Sequence, residues 1–181
     1  MNQNDAPKAW LGNDATKKLF LAINEGDADL EAVRLLLDGG ADLNACDYDG
    51  STALLCAAGN NWTPLETLCL LLDRGADPNA CDHDGGTALF YAARDPWTRL
   101  DTLRLLLDRG TDPNACDYAG RTALAVAEES GHTKTAALLR AALESRDLAA
   151  ALPPAHNQTT RVFEDLGAPD PQPARSNRPR L

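Results

Sequence analysis

The sequence lacks any long hydrophobic run. No stretch approaches the roughly 18 to 20 consecutive apolar residues that a membrane helix needs. The opening residues, MNQNDAPKAWLGNDATKK, also lack an apolar stretch of the length found in signal peptides. The pattern predicts a cytoplasmic protein that does not enter a membrane.

Basic residues are scarce. The chain has 17 Lys and Arg against 27 Asp and Glu, a formal net charge of −10. Most of the acidic excess lies in residues 1–145, whereas 146–181 are close to neutral. An acidic surface repels phosphate backbones and attracts basic surfaces, so the charge excludes nucleic acid as the expected partner and favours a basic protein.

What is present is a repeat of 35 residues. Three segments align on a cysteine: DLEAVRLLLDGGADLNACDYDG, PLETLCLLLDRGADPNACDHDG and RLDTLRLLLDRGTDPNACDYAG. A second half repeats as STALLCAAGNNW, GTALFYAARDPW and RTALAVAEESGH, with a degenerate first copy in TKKLFLAINEGD. Four copies are therefore predicted, and the outer two depart most from the pattern.

Each copy has the signals of two helices followed by a polar turn. A threonine precedes the first helix as an N-cap, and a glycine closes the second helix where a left-handed residue is needed. The cap threonines are Thr52, Thr87 and Thr122, and the closing glycines are Gly40, Gly75 and Gly110. One helix pair cannot bury its apolar faces alone, so stacking of copies must form the core.

These residues resemble the ankyrin-repeat family. The likeness rests on the three Thr-Ala-Leu segments and on the closing phrases GADLNACDYDG, GADPNACDHDG and GTDPNACDYAG. It covers about residues 16 to 143 and implies an all-α ankyrin-repeat solenoid with short β-hairpin turns between helix pairs. It also implies a protein-protein interaction module without catalytic activity.

The predicted organisation has three parts. Residues 1–15 form an N-terminal extension, residues 16–152 the repeat domain, and residues 153–181 a Pro-rich tail predicted to be disordered. The repeats span about 16–48, 49–83, 84–118 and 119–152. Residues 134–152 are expected to form a capping helix that ends before Pro153, and Trp10 and Phe163 lie in apolar clusters that could dock on the repeats.

The repeated cysteines Cys46, Cys81 and Cys116 do not predict a chemical site. Equivalent positions in stacked helical units lie about 8 to 10 Å apart, too far for a disulfide or a shared zinc ion. Only Cys81 has a histidine two positions away, so no base recurs with the thiol. No catalytic residue, cofactor or metal ligand is predicted, and the five cysteines are expected to be reduced.

The resemblance implies that a partner lies in the concave groove. It places the contacts on the hairpin tips and just after the Ala-Ala pairs: Tyr48, Asp49, Ser51, Asn60, His83, Asp84, Arg94, Asp95, Tyr118 and Arg121. Rigid aromatic residues beside acids are typical of an interface with a basic partner. A solvated rim is an equally open interpretation.

Trp62 and Trp97 are also 35 residues apart, in the turn between the two helices of a repeat. Two interpretations stay open at this point. The indoles could pack across a repeat boundary, or they could serve as aromatic anchors for a partner.

The sequence thus predicts a monomeric binding protein. Its expected role is to block or sequester a basic protein partner, as an immunity, antitoxin or inhibitor protein would. The alternatives are a signalling or scaffold adaptor that uses both groove and tail, and a secreted, host-directed effector.

Overall fold

Helix-forming stretches alternate with turns along the chain, and eight helices result in the part that the structure describes. The computed structural model describes residues 13–26 and 29–151, with side chains as far as Arg146. The helices are α1 Asp14–Glu25, α2 Leu30–Asp38, α3 Ala53–Gly59, α4 Leu65–Asp73, α5 Ala88–Arg94, α6 Leu100–Asp108, α7 Ala123–Glu129 and α8 Thr133–Ala151.

The short inner helices begin at threonine caps, as the sequence predicts. Thr52 Oγ1 accepts a hydrogen bond from the Leu55 amide before α3, and Thr87 and Thr122 do the same before α5 and α7. Each cap satisfies one of the amides that a helix start leaves without a partner. A threonine thus fixes where each of these three inner helices begins.

The outer helices α2, α4 and α6 end at left-handed glycines, which confirms the predicted closing residues. Gly40, Gly75 and Gly110 have φ of +83°, +95° and +86°. In the second copy, the Gly75 amide donates to the Leu72 carbonyl at 3.1 Å. The next amide bonds back to the Leu71 carbonyl at 3.0 Å, and together the two bonds satisfy the last helical carbonyls.

A polar hairpin follows each outer helix and is built around one aspartate. Asp82 Oδ1 accepts hydrogen bonds from the amides of Asp84 and Gly86, and Asp47 and Asp117 do the same in their copies. The predicted β-hairpins consist of one isolated bridge each, which joins a cysteine to the cap threonine: Cys46 to Thr52, Cys81 to Thr87 and Cys116 to Thr122. The repeated cysteine is therefore the backbone partner of the helix cap.

The core lies between the stacked inner helices and the outer helices behind them. Leu54 and Leu89 occupy the same position in α3 and α5 and are fully buried. Burial of a leucine side chain contributes about 1.5 to 3 kcal/mol. The paired alanines Ala57–Ala58 and Ala92–Ala93 are also buried, which lets neighbouring inner helices approach closely.

Polar contacts between repeats set how successive units align. The His83 amide donates to the Asp49 carbonyl at 2.9 Å, and the Tyr118 amide donates to the Asp84 carbonyl at 2.8 Å, so the hairpin tips are joined. On the outer helices, Arg74 pairs with the Asp38 carboxylate at 2.8 Å, and Arg109 pairs with Asp73 in the next copy. Exposed ion pairs of this kind contribute about 0 to 1 kcal/mol each.

The chain divides into two units, residues 1–146 and 147–181. Helix α8 covers most of the predicted capping helix and ends at Ala151. The tail 153–181 and the clusters around Trp10 and Phe163 lie outside the described residues. No helix in the described part is both long and apolar enough to cross a membrane.

Candidate partner-binding groove

An open groove of about 710 Å³ lies over the inner helices α3 and α5. The hairpin tips around Asp49 and His83 border one side of it, and the loop after α3 borders the other. We name it the acidic groove. Its lining residues are Asn24, Asp49, Ser51, Leu55, Cys56, Gly59, Asn60, Asn61, Trp62, Asp82, His83, Asp84, Tyr91 and Asp95.

The acidic groove contains seven of the predicted contact residues. They are Asp49, Ser51, Asn60, Trp62, His83, Asp84 and Asp95. The other five, Tyr48, Arg94, Trp97, Tyr118 and Arg121, lie outside its lining. The groove therefore spans the second and third repeats rather than the whole row of hairpins.

Four carboxylates line the acidic groove, and no lysine or arginine is among its lining residues. Asp49 and Asp84 are exposed, Asp95 is half-buried, and Asp82 is buried. Arg94 is near this lining, and its guanidinium lies 5.8 Å from the centre of the Tyr91 ring. Cations are therefore favoured in the groove.

Tyr91 is the main feature of the groove that the sequence did not single out. Its hydroxyl donates a hydrogen bond to Asp82 Oδ2. Asp82 is only 5 % exposed, and its other carboxylate oxygen, Oδ1, accepts the two backbone amides of the hairpin. Burial, followed by the hydrogen bond to Asp82 and its charge, raises the pKa of Tyr91 well above its ordinary value. The phenol therefore remains a neutral donor near neutral pH.

A sequence signal for Tyr91 existed at position 86. The repeats have Ser51, Gly86 and Arg121 at equivalent places, so the third repeat alone has no side chain there. A Cβ on Gly86 would lie 2.8 Å from Tyr91 Cε2 and 3.0 Å from its hydroxyl oxygen. Glycine is required at this place because the tyrosine lies across it.

The groove thiol is poorly suited to nucleophilic chemistry. Burial, reinforced by the charge of Asp47, raises the pKa of Cys56 to about 12. The reactive species of cysteine is the thiolate, so Cys56 remains an unreactive thiol at neutral pH. The five cysteines, all within the described part, are unpaired, and the described residues contain no group of three or more His, Cys, Asp or Glu arranged to hold a metal ion.

Two aromatic residues of the hairpin tips, His83 and Tyr118, pack on a glycine of the preceding hairpin. A Cβ on Gly50 would lie 2.6 Å from His83 Cδ2, and one on Gly85 would lie 3.1 Å from Tyr118 Cδ1. Tyr118 is nevertheless 80 % exposed and Tyr48 is 41 % exposed. These residues help the hairpins stack and leave much of each tyrosine at the surface.

Trp62 and Trp97 lie at the surface. Trp62 is 77 % exposed and Trp97 is 75 % exposed, so neither is buried across a repeat boundary. In the fourth repeat the residue equivalent to Trp97 is His132, whose ring does contact the preceding repeat. The exposure favours the interface interpretation, which stays a prediction.

The sequence matches the family description "Ankyrin repeats (3 copies)" over residues 2–82, 19–117 and 61–147. The chain belongs to the ankyrin-repeat family. Ankyrin repeats bind other proteins, and proteins built from them are generally interaction modules rather than enzymes. A search of curated proteins finds no similar sequence. In the described part of this ankyrin-repeat protein, the eight helices fall into four consecutive pairs.

Proposed function

We propose that this ankyrin-repeat protein binds a basic segment of another protein in the acidic groove. The observation that carries the proposal is the lining itself, four carboxylates with no lysine or arginine among them. A groove lined by charges of one sign concentrates the opposite charge and speeds its association. The proposed ligand is therefore an extended, arginine-containing or lysine-containing segment.

Three of the four carboxylates are available to such a segment. Asp82 already has two backbone amides and the Tyr91 hydroxyl as donors, so its role is structural. Asp49 and Asp84 stand at the hairpin tips, and Asp95 lies near the opposite side of the groove. A basic segment along the groove would have acceptors on both sides.

Trp62 supplies a surface that complements these charges. Its indole is 77 % exposed at the border of the acidic groove. A guanidinium or ammonium over an indole face gains about 0.5 to 1 kcal/mol at an exposed site. Carboxylates would pair with the charge while the indole contacts the side-chain stem.

Binding of this kind covers a basic surface of the partner and so blocks or sequesters it. An immunity, antitoxin or inhibitor role follows from that consequence and remains our prediction. A cytoplasmic location and a monomeric state also remain predictions. The five unpaired cysteines favour a reducing compartment.

An adaptor is the second candidate, because an exposed tryptophan lies outside the lining of the groove. Trp97 is 75 % exposed and does not line the acidic groove. Large exposed aromatic side chains are favoured at interfaces. If the protein is an adaptor, Trp97→Ala should lose one partner in a pull-down and keep another that needs the groove.

The proposed function is tested with a fluorescein-labelled nona-arginine peptide, and nona-glutamate serves as the control peptide. Fluorescence anisotropy of the full chain should show binding of nona-arginine that weakens with added salt, because screening shortens the range of exposed charges. The double variant Asp49→Asn/Asp84→Asn should bind at least 10-fold more weakly. The matched double variant Glu66→Gln/Asp108→Asn removes the same charge from the outer helices and should change binding less than 3-fold.

Two results would oppose the proposal. One is failure of the wild-type chain to bind nona-arginine at low salt. The other is an equal loss of affinity in the two double variants, which would show that net charge rather than the groove governs binding.

A further inference from the structure

The last turns of the first three inner helices have carbonyls at equivalent positions, and in two of these copies the following repeat contacts that carbonyl. These carbonyls belong to Ile23, Ala58 and Ala93, which lie 35 residues apart. Asn60 Nδ2 donates to the Ile23 carbonyl at 2.8 Å. His132 Nδ1 lies 3.0 Å from the Ala93 carbonyl, and because a carbonyl only accepts, this nitrogen carries the proton.

The Ala58 carbonyl differs from the other two. In the loop that follows it, Asp95 replaces Asn60 and Trp97 replaces His132. Trp97 is turned to the surface, and a carboxylate has no hydrogen to donate. No backbone amide outside the helices of the described part donates to the Ala58 carbonyl.

The side chains of Asn60 and Asp95 are held by the same local turn. Asn60 Oδ1 accepts from the Trp62 amide at 3.0 Å, and Asp95 Oδ1 accepts from the Trp97 amide at 3.0 Å. Because the first oxygen is fixed in the same way, the second oxygen of Asp95 corresponds to the amide nitrogen of Asn60. The third repeat thus directs an acceptor where the second repeat directs a donor.

Two acceptors at this junction suit a donor from outside the chain. Asp95 and Gly59 both line the acidic groove, so the junction is open to a ligand. The Arg94 guanidinium lies over the Tyr91 ring, 5.8 Å from its centre. A guanidinium fits the need best, because its five N–H groups can pair with both carboxylate oxygens and still reach a carbonyl.

We infer that Asp95 and the Ala58 carbonyl form a subsite for one arginine side chain of the partner. Asp95 is then the residue that determines specificity within the acidic groove. This inference rests on the proposed function, since the arginine belongs to the basic segment bound there.

The decisive variant is Asp95→Asn, which gives the third repeat the residue of the second. Affinity for nona-arginine should fall about 10-fold, as expected for a lost charge-assisted hydrogen-bonded pair. The melting temperature should rise by about 2 to 4 °C, because the new amide can donate to the Ala58 carbonyl. Lower affinity together with higher thermal stability is not what a damaged fold produces.

Two further variants make the test specific. Asp108→Asn removes one charge from an exposed site at the end of α6 and should change affinity less than 2-fold without raising the melting temperature. Asn60→Asp creates the same combination of a carboxylate and a backbone carbonyl at the junction of the first and second repeats. It should lower the melting temperature by about 2 to 4 °C and raise affinity for nona-arginine.

The possible failures can be told apart. If the wild-type chain does not bind nona-arginine, the proposed function and this inference both fall. If it binds, but Asp95→Asn matches Asp108→Asn in affinity and melting temperature, only the subsite is wrong. Equal affinity for nona-lysine and nona-arginine would overturn the assignment of a guanidinium.

Discussion

The second and third repeats are close copies, yet they present different chemistry to the acidic groove. Both have a threonine cap, an aspartate-centred hairpin, and a left-handed glycine in the hairpin and after the outer helix. They differ at several positions on or beside the groove, and among these Ser51, Cys56 and Asn60 become Gly86, Tyr91 and Asp95. Residues that shape the backbone are kept, whereas several of the residues that face the groove change.

Breaking the shared framework should have the largest effect. In Gly85→Ala, the alanine would have to adopt the backbone φ of +82°. Its Cβ would lie 3.0 Å from the Tyr118 backbone nitrogen. Left-handed strain and crowding together should lower the free energy of unfolding by about 3 kcal/mol. Urea denaturation followed by circular dichroism measures this change.

Gly120→Ala is the matched control in the last hairpin. Gly120 has φ of +77° but open space where a Cβ would stand, so only the strain of about 1 to 2 kcal/mol applies. Equal losses for the two glycines would show that stacking of hairpins does not restrict position 85.

The next largest loss of stability is expected when the third repeat receives the serine of the second. Gly86→Ser places atoms against the Tyr91 ring and should cost about 2 kcal/mol by overpacking. Adding Tyr91→Cys, the other residue of the second repeat, should recover much of that loss. A double-mutant cycle measures the coupling, and a value near zero would contradict the proposed link between Gly86 and Tyr91.

Tyr91→Phe isolates the hydroxyl of the third repeat. Asp82 would lose one of its donors while buried, which should cost about 1 to 2 kcal/mol in the free energy of unfolding at pH 7. Urea denaturation measures the loss, and Tyr118→Phe is the control at an exposed tyrosine.

The same variant predicts a change in pH dependence. Because the folded-state pKa of Tyr91 is raised, its stabilising contribution is complete below the unfolded value of about 10 and is lost as the pH rises further. Wild-type stability should therefore fall more steeply than that of Tyr91→Phe above about pH 10. Parallel curves would contradict the contact with Asp82.

The smallest effect on stability is expected at a feature that the two repeats share. Trp62→Ala and Trp97→Ala remove side chains that are mostly exposed, so each should change the free energy of unfolding by less than about 0.5 kcal/mol. Trp62→Ala alone should weaken binding of nona-arginine, because only Trp62 borders the acidic groove. A loss of 2 kcal/mol or more for either would restore the packing interpretation.

Much of the fold could be predicted because local rules repeat. The cap Thr87 and the closing Gly75 have roles that depend on neighbouring residues, and the 35-residue period shows them several times. The cysteines illustrate a limit of the same reasoning. The period predicted no chemical site at Cys46, but it gave no sign that the Cys46 backbone bridges to the cap Thr52.

The groove was harder to predict because it depends on contacts between positions that are far apart in sequence. Tyr91 occupies a helix position that holds a cysteine or valine in the neighbouring repeats, and nothing local indicates that it reaches Asp82. The effect of having Asn60 in one repeat and Asp95 in the next also depends on the preceding repeat, because the Asn60 side chain bonds to a carbonyl of that repeat. Tyr118, which the resemblance named as a contact, lies outside the groove lining, and its role as a contact stays a prediction.

The most direct test is to map where a basic peptide binds. Nona-arginine is titrated into the ¹⁵N-labelled full chain, and backbone amide shifts are followed by NMR. We expect saturable changes at Gly59, His83 and Tyr91 in the acidic groove, and none at Glu66 or Cys69 on the outer helix α4. Changes centred on the outer helices, or none anywhere at low salt, would contradict the claim that the acidic groove is the binding site.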